Sequence, residues 1–162
     1  MERQYSMAIQ HRGWEPVAGC LGLVANRWIP VLWTDGLSVG DPAIDGEHKR
    51  LLDLYNALVT AVNDAAEARV VQGLMNALFD FLDYHFDHEE QVMLANAYPD
   101  YISHKRVHDA FLDQLENVEN HLEAGGHMGG FLLDTVAEWL VRHIQEADAK
   151  LGAYLLQRRQ AA

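Results

Sequence analysis

The stretch His85-Phe86-Asp87-His88-Glu89-Glu90, HFDHEE, packs five ionisable groups into six residues. It lies within residues 71–95, where Leu74, Leu78, Phe81, His85, Glu89 and Val92 recur at the spacing of one helix face. Residues four apart on an α-helix stand about 40° apart around its axis and one turn along it. His85 and Glu89 therefore share the face that carries Leu78, Phe81 and Val92, whereas Asp87, His88 and Glu90 are expected to point to water as a solvated charge run does. A histidine and a carboxylate on an apolar face need partners on other helices or a metal, because burying them unpaired is costly.

The same pattern recurs on both sides of this stretch. From Pro42 to the C-terminus the only further proline is Pro99, and apolar residues keep helical spacing, leaving room for four long helices. The first is expected to start at Asp45 as N-cap and to carry His48, Leu52, Tyr55, Val59 and Val62 on one face. After a break at Pro99, a third aligns His104, His108, Phe111, Leu115, Val118 and Leu122, and ends before the glycine cluster EAGGHMGG at 123–130. The fourth carries Leu132, Val136, Trp139, Leu140, His143, Ala147 and Leu151, with Asp148 five residues past His143. Short connections between long helices favour antiparallel neighbours, so the fold class is all-α, an up-down-up-down antiparallel four-helix bundle. A lone histidine on an apolar face is most often a hydrogen-bonded core residue. Five of them with two carboxylates, spread over all the helices, ask for a common partner.

Before Trp33 the residues Gly13, Pro16, Gly19, Gly22 and Pro30 interrupt any period. This divides the chain into an N-terminal extension, 1–32, and a bundle domain, 33–162. The extension supplies none of the candidate ligands and is expected to be dispensable for them, its Trp14, Trp28 and Ile29 packing against the bundle. The 162 residues are 49% hydrophobic, enough for one sizeable core, and 12 basic against 24 acidic residues give a formal net charge of -12. An acidic surface repels phosphate backbones and anionic lipid, which excludes nucleic acid and membrane surfaces as partners. The longest suggestive apolar stretch, 17–25, is far short of the roughly 20 residues that span a bilayer. The single cysteine, Cys20, allows no internal disulfide and suits a reducing compartment. Val17-Ala18-Gly19-Cys20 looks like a lipoprotein cleavage box but lacks the apolar segment that export needs before it, so a cytoplasmic protein is expected.

DGEHKRL at 45–51, HFDHEE, HKRVH at 104–108 and WLVRHIQEAD at 139–148 together resemble the bacterial hemerythrins, oxygen-binding non-haem diiron proteins. The lead-in WTDGLSVGDPAID at 33–45 is similar to that family's N-terminal arm. Each motif alone is weak; their order and spacing make the set specific. The resemblance implies two irons with a bridging oxo or hydroxo group. His104, His108 and His143 would hold one iron, His48 and His85 the other, and Glu89 and Asp148 would bridge both. In an α-helix the five-residue step from His143 swings Asp148 about 140° around the axis, which suits a bridge better than a ligand aimed like His143. Counting donors closes the three-imidazole iron and leaves the other one ligand short, and open positions are where metal sites react. By the same resemblance Phe86, Trp139, Leu140 and Ile144 line an apolar oxygen pocket. Dioxygen is the implied ligand, with an oxygen-consuming protein as a further partner and a monomer as the expected state. The competing reading is a diiron enzyme on the same fold, a peroxidase or a nitric-oxide- or iron-handling protein. Ferritin-like oxygen-activating sites are richer in carboxylate and use Glu-x-x-His pairs, absent from this set. A zinc hydrolase is excluded by the lack of HExxH and by too many ligands for tetrahedral zinc.

Overall fold

A computed structural model describes the backbone at residues 28–123 and 130–161, and the side chains among them except at 118–131. The glycine cluster, the box at Cys20, the packing of Trp14 and the side chains of Val118 and Leu122 thus lie outside the described residues. Helices α1 (Pro42–Asn63), α2 (Ala68–Ala95), α3 (Tyr101–Glu123) and α4 (Gly130–His143) are followed by a π-helical turn, Ile144–Asp148, and α5 (Ala149–Ala161). His143 and Ala149, on either side of the turn, both keep right-handed helical angles, so α4, the turn and α5 run on as one rod. The result is the expected antiparallel four-helix bundle: α1 packs on α2 and α4, and α2 on α3. No helix among the described residues is long and apolar enough to cross a membrane.

The N-cap of α1 is Asp41, not Asp45. Its carboxylate accepts from the amides of Ala43 at 3.0 Å and Ile44 at 3.3 Å, and it also pairs with Arg159 of α5. Pro42 decides the start, since a ring without an N–H fits the first helical position and not one further in. Asp45 falls in the first turn, where it accepts from Ser38 Oγ at 2.6 Å and the Val39 amide at 2.8 Å and ties the arm to the helix. Helix α2 begins at Ala68, ahead of the expected 71, because its first turn is exposed and carries no apolar period to mark it. It ends at Ala95, as expected, ahead of Pro99. Ala97 adopts φ 52°, and the Tyr98 amide reaches back to Met93 O at 2.9 Å, so the chain has left the helix before the proline. Ala65 and Ala66 close α1 in the same way.

The core is continuous from Leu52, Tyr55 and Val59 of α1 through Leu78 and Leu82 of α2 to Leu132 and Val136 of α4. Phe81 and Val92 are only half-buried; Leu82 and Met93 take the inner places beside them, because a bundle helix buries a stripe wider than a single row. The arm begins before Trp33. Trp28 exchanges both its peptide groups with the side-chain amide of Asn63, at 2.9 and 2.8 Å, and Val31 does the same with Asn56, both at 2.8 Å. The two asparagines stand two turns apart on α1 and act as a short edge for the extended arm to pair with. Val31, Leu37 and Val39 are buried beneath it.

Where the arm crosses α5 only glycine fits. A β-carbon on Gly152 would stand 2.0 Å from Val39 O and 2.8 Å from Val39 C, so backbone would have to move. Gly152→Ala should therefore destabilise by about 1–3 kcal/mol through overpacking, against a gain in helix propensity of at most ~1 kcal/mol. Thermal unfolding followed by circular dichroism reads this as a fall in Tm of several degrees; an unchanged or raised Tm would show that the arm yields freely.

Candidate metal centre

All the residues expected as ligands converge in the middle of the bundle. Donor atoms of Glu89, His104, His108, His143 and Asp148 lie within 4.8 Å of one another, and so do those of His48, His85, Glu89 and Asp148. The two groups share Glu89 and Asp148, both 0% exposed. On one side the Nε2 atoms of His104 and His108 stand 3.2 and 2.9 Å from His143 Nε2, and both stand 3.3 Å from Glu89 Oε2. Asp148 divides its oxygens: Oδ1 lies 3.1 Å from His104 Nε2 and 3.0 Å from His143 Nε2, while Oδ2 lies 3.2 Å from His48 Nε2.

The π-helical turn corrects the angle expected for Asp148. The five-residue step from His143 spans Ile144–Asp148, where the backbone bonds i to i+5 and each turn takes in one more residue. Instead of swinging about 140° away, as an α-helix would carry it, Asp148 comes round to face His143. Its carboxylate still reaches both groups, so the expectation that it spans them keeps its geometric basis while the angular reason given for it does not.

Whether these residues fit a cation is tested by their unmet polar atoms. Neither oxygen of Glu89 or Asp148, nor either ring nitrogen of His48, makes a hydrogen bond of acceptable geometry. The contacts of 3.0–3.3 Å between rings and carboxylates are close enough for charge attraction but are not aligned for donation. Fully buried carboxylates left this way are costly unless a cation completes them. Electrostatics agree. Burial and the charge of Asp148 push Glu89 up, but His104, His108 and His85 overcome both and hold it at about 2. Burial likewise raises Asp148, and His143, His104 and His48 hold it well below the usual carboxylate range. His104 is drawn down by burial yet held up at about 9 by Asp148 and Glu89. Burial keeps His143 below the ordinary histidine value against the pull of Asp148. The carboxylates thus stay charged in a dry site, and imidazole with carboxylate is a donor set that suits iron.

Two further carboxylates belong to the surroundings and were assigned no role in the sequence. Glu47 Oε2 lies 2.9 Å from His85 Nδ1, and its Oε1 lies 2.7 Å from His88 Nδ1. Glu90 Oε1 lies 3.2 Å from His108 Nδ1, with Lys105 Nζ 3.1 Å from Oε2. The expectation that His88 and Glu90 simply face water is therefore corrected: both are partly buried and tied to the cluster, His88 through Glu47 and Glu90 directly. Asp87 is exposed as expected and accepts from Gln91. The only sequence signal for Glu47 and Glu90 is adjacency, each standing next to a candidate ligand, His48 and Glu89.

Two of the residues expected to form an apolar pocket, Phe86 and Trp139, sit against the imidazoles. Phe86 stacks on His108 with centroids 4.0 Å apart and planes within 8°; Trp139 stacks on His143 at 4.3 Å and 12°. Phe111 covers the far face of Trp139 at 3.8 Å. Leu140 and Ile144 are buried beside them.

The model of the hemerythrin HHE cation binding domain matches residues 39–155, a span that contains every residue of the cluster. The chain belongs to this family. It is 30% identical to the bacteriohemerythrin of Stenotrophomonas maltophilia over 118 residues, 73% of this chain and 76% of that protein. To the bacteriohemerythrin of Ralstonia nicotianae it is 31% identical over 132 residues, 80% and 93% of the two chains. A crystal structure of wild-type hemerythrin superimposes with a TM-score of 0.69 at 28% identity, covering 76% of this chain and 96% of that one. The arm residues 28–38, which pair with α1, precede the span matched to the hemerythrin domain.

Proposed function

We propose that this hemerythrin-family chain binds dioxygen reversibly at two irons held by His48, His85, Glu89, His104, His108, His143 and Asp148. The observation that carries the reading is the buried pair Glu89 and Asp148, shared by both donor groups and lacking hydrogen bonds of their own. His104, His108 and His143 would hold one iron and His48 and His85 the other, with the two carboxylates spanning them. When bound, the irons supply the electrons that dioxygen takes up and gives back. The chain's own residues do the rest. Five imidazoles against two carboxylates bring less negative charge than an oxygen-activating site, favouring release of oxygen over its consumption. Phe86, Trp139, Leu140 and Ile144 surround the imidazoles with apolar surface and exclude water and protons from the open side. The single cysteine supports a place in the reducing cytoplasm. Reconstitution with ferrous iron under anaerobic conditions, followed by metal analysis, should give two irons per chain. A well-occupied mononuclear zinc site in their place would contradict the proposal.

The bundle domain with its arm would be sufficient for this. Removal of the residues before Trp28 should leave the iron content unchanged. Removal before Trp33 deletes buried Val31 and both asparagine pairings, so it should lower Tm while the site still fills. Loss of iron from either truncation would make the extension part of the site's support.

A further inference from the structure

Glu47 is not one of the cluster's donors, yet one oxygen of its carboxylate accepts a hydrogen bond from His85 Nδ1 at 2.9 Å, while the other stands 2.7 Å from His88 Nδ1, close but not aligned as a hydrogen bond. A carboxylate only accepts, so His85 must carry its proton on Nδ1, which leaves the Nε2 lone pair to face the cluster. His88, its side chain 33% exposed, lies against Glu47 on the surface side. The other half of the cluster has its own carboxylate: Glu90 Oε1 takes His108 Nδ1 at 3.2 Å, and Lys105 Nζ bonds to the same carboxylate. The two halves differ in what they have besides. In the three-imidazole half, His104 and His143 also point at the cluster. In the two-imidazole half the only other ring is His48, whose Nδ1 makes no hydrogen bond at all.

We propose that Glu47, with His88 beside it, is a positioning residue that sets the tautomer and ring orientation of His85, and so governs metal binding in the His48/His85 half alone, while Glu90 does this for the His108 half. The inference rests on the two-metal reading above. A ligand that loses such a partner costs about 10–100-fold in metal affinity, and the half whose remaining ring is unsupported depends on Glu47 most.

The test is a titration of the metal-free protein with cobalt(II), followed by calorimetry and visible absorption, with circular dichroism to verify folding. Wild type should take two ions in two resolvable steps. Glu47→Ala should weaken one step by about 10–100-fold and leave the other in place; Glu90→Ala should weaken the other. Glu47→Gln keeps an acceptor for His85, so it should bring the weakened step back to within a few-fold of wild type, a rescue that repacking alone would not give. His88→Ala, which leaves Glu47 in place with one oxygen free, should weaken the same step as Glu47→Ala by a smaller factor and covers the case in which Glu47→Ala does not fold. The proposal is overturned if Glu47→Ala leaves both steps unchanged, weakens them equally, or weakens the same step as Glu90→Ala. A wild type that takes up one cobalt ion or none sinks the two-metal reading itself, an outcome separate from these.

Discussion

His108→Ala should cut bound iron from two per chain to one or fewer and lower the stability of the iron-loaded protein by several kcal/mol. His108 is fully buried and meets the cluster on both sides of its ring. Its Nε2 lies 2.9 Å from His143 and 3.3 Å from Glu89, its Nδ1 faces Glu90, and Phe86 stacks on its plane. Truncating a buried ring of this size costs about 3–5 kcal/mol in packing, and here Glu89 also loses one of the histidines that hold its charge in a dry site. Metal binding adds its own share, because a site that binds only the folded chain stabilises it by mass action. Melting curves of loaded and metal-free protein separate the two: the mutation should cost more in the loaded form. Retention of two irons would remove His108 from the ligand set.

Leu140→Ala should leave the iron content intact and speed decay of the oxygenated spectrum. Leu140 is buried one turn before His143 in α4, beside Trp139 and Ile144. Alanine there opens a cavity at a cost of about 2–5 kcal/mol while the seven donor residues stay in place. Space next to the cluster would admit water and protons to the site, so the oxygenated form should be lost faster. Autoxidation rates of wild type and variant at matched pH and temperature, with iron content checked in both, decide it; equal rates would leave Leu140 as ordinary core.

The cluster of candidate ligands was legible in the sequence for a plain reason. Each helix placed a histidine on a face otherwise apolar, and a period of 3.6 residues is enough to put His85 over Glu89 and His104 over His108. Hydrophobic periodicity likewise fixed the number of helices and their antiparallel order. What escaped depends on short-range detail or on contacts between helices. The π-helical turn at Ile144–Asp148 is a change of one residue per turn, and no side-chain pattern announces it; only the unusual spacing of His143 and Asp148 hints at it. Asp41 and Asp45 are equally good N-caps by type, and Pro42 tips the choice. Glu47 and Glu90 stand beside candidate ligands, roughly a quarter-turn off the apolar face. Glu90 reads as solvated and Glu47 carries no signal of its own until α1, α2 and α3 are brought together and their oxygens meet His85 and His108.

The central claim is that oxygen is held and given back. Absorption spectra of the iron-loaded protein should be recorded after anaerobic reduction, after admission of oxygen, and after its removal, with two irons per chain confirmed in the same sample. The expected result is a visible band that appears with oxygen and disappears when oxygen is withdrawn, over repeated cycles. A band that decays to the diferric spectrum within one cycle while oxygen is consumed, or no change on adding oxygen, would contradict reversible binding.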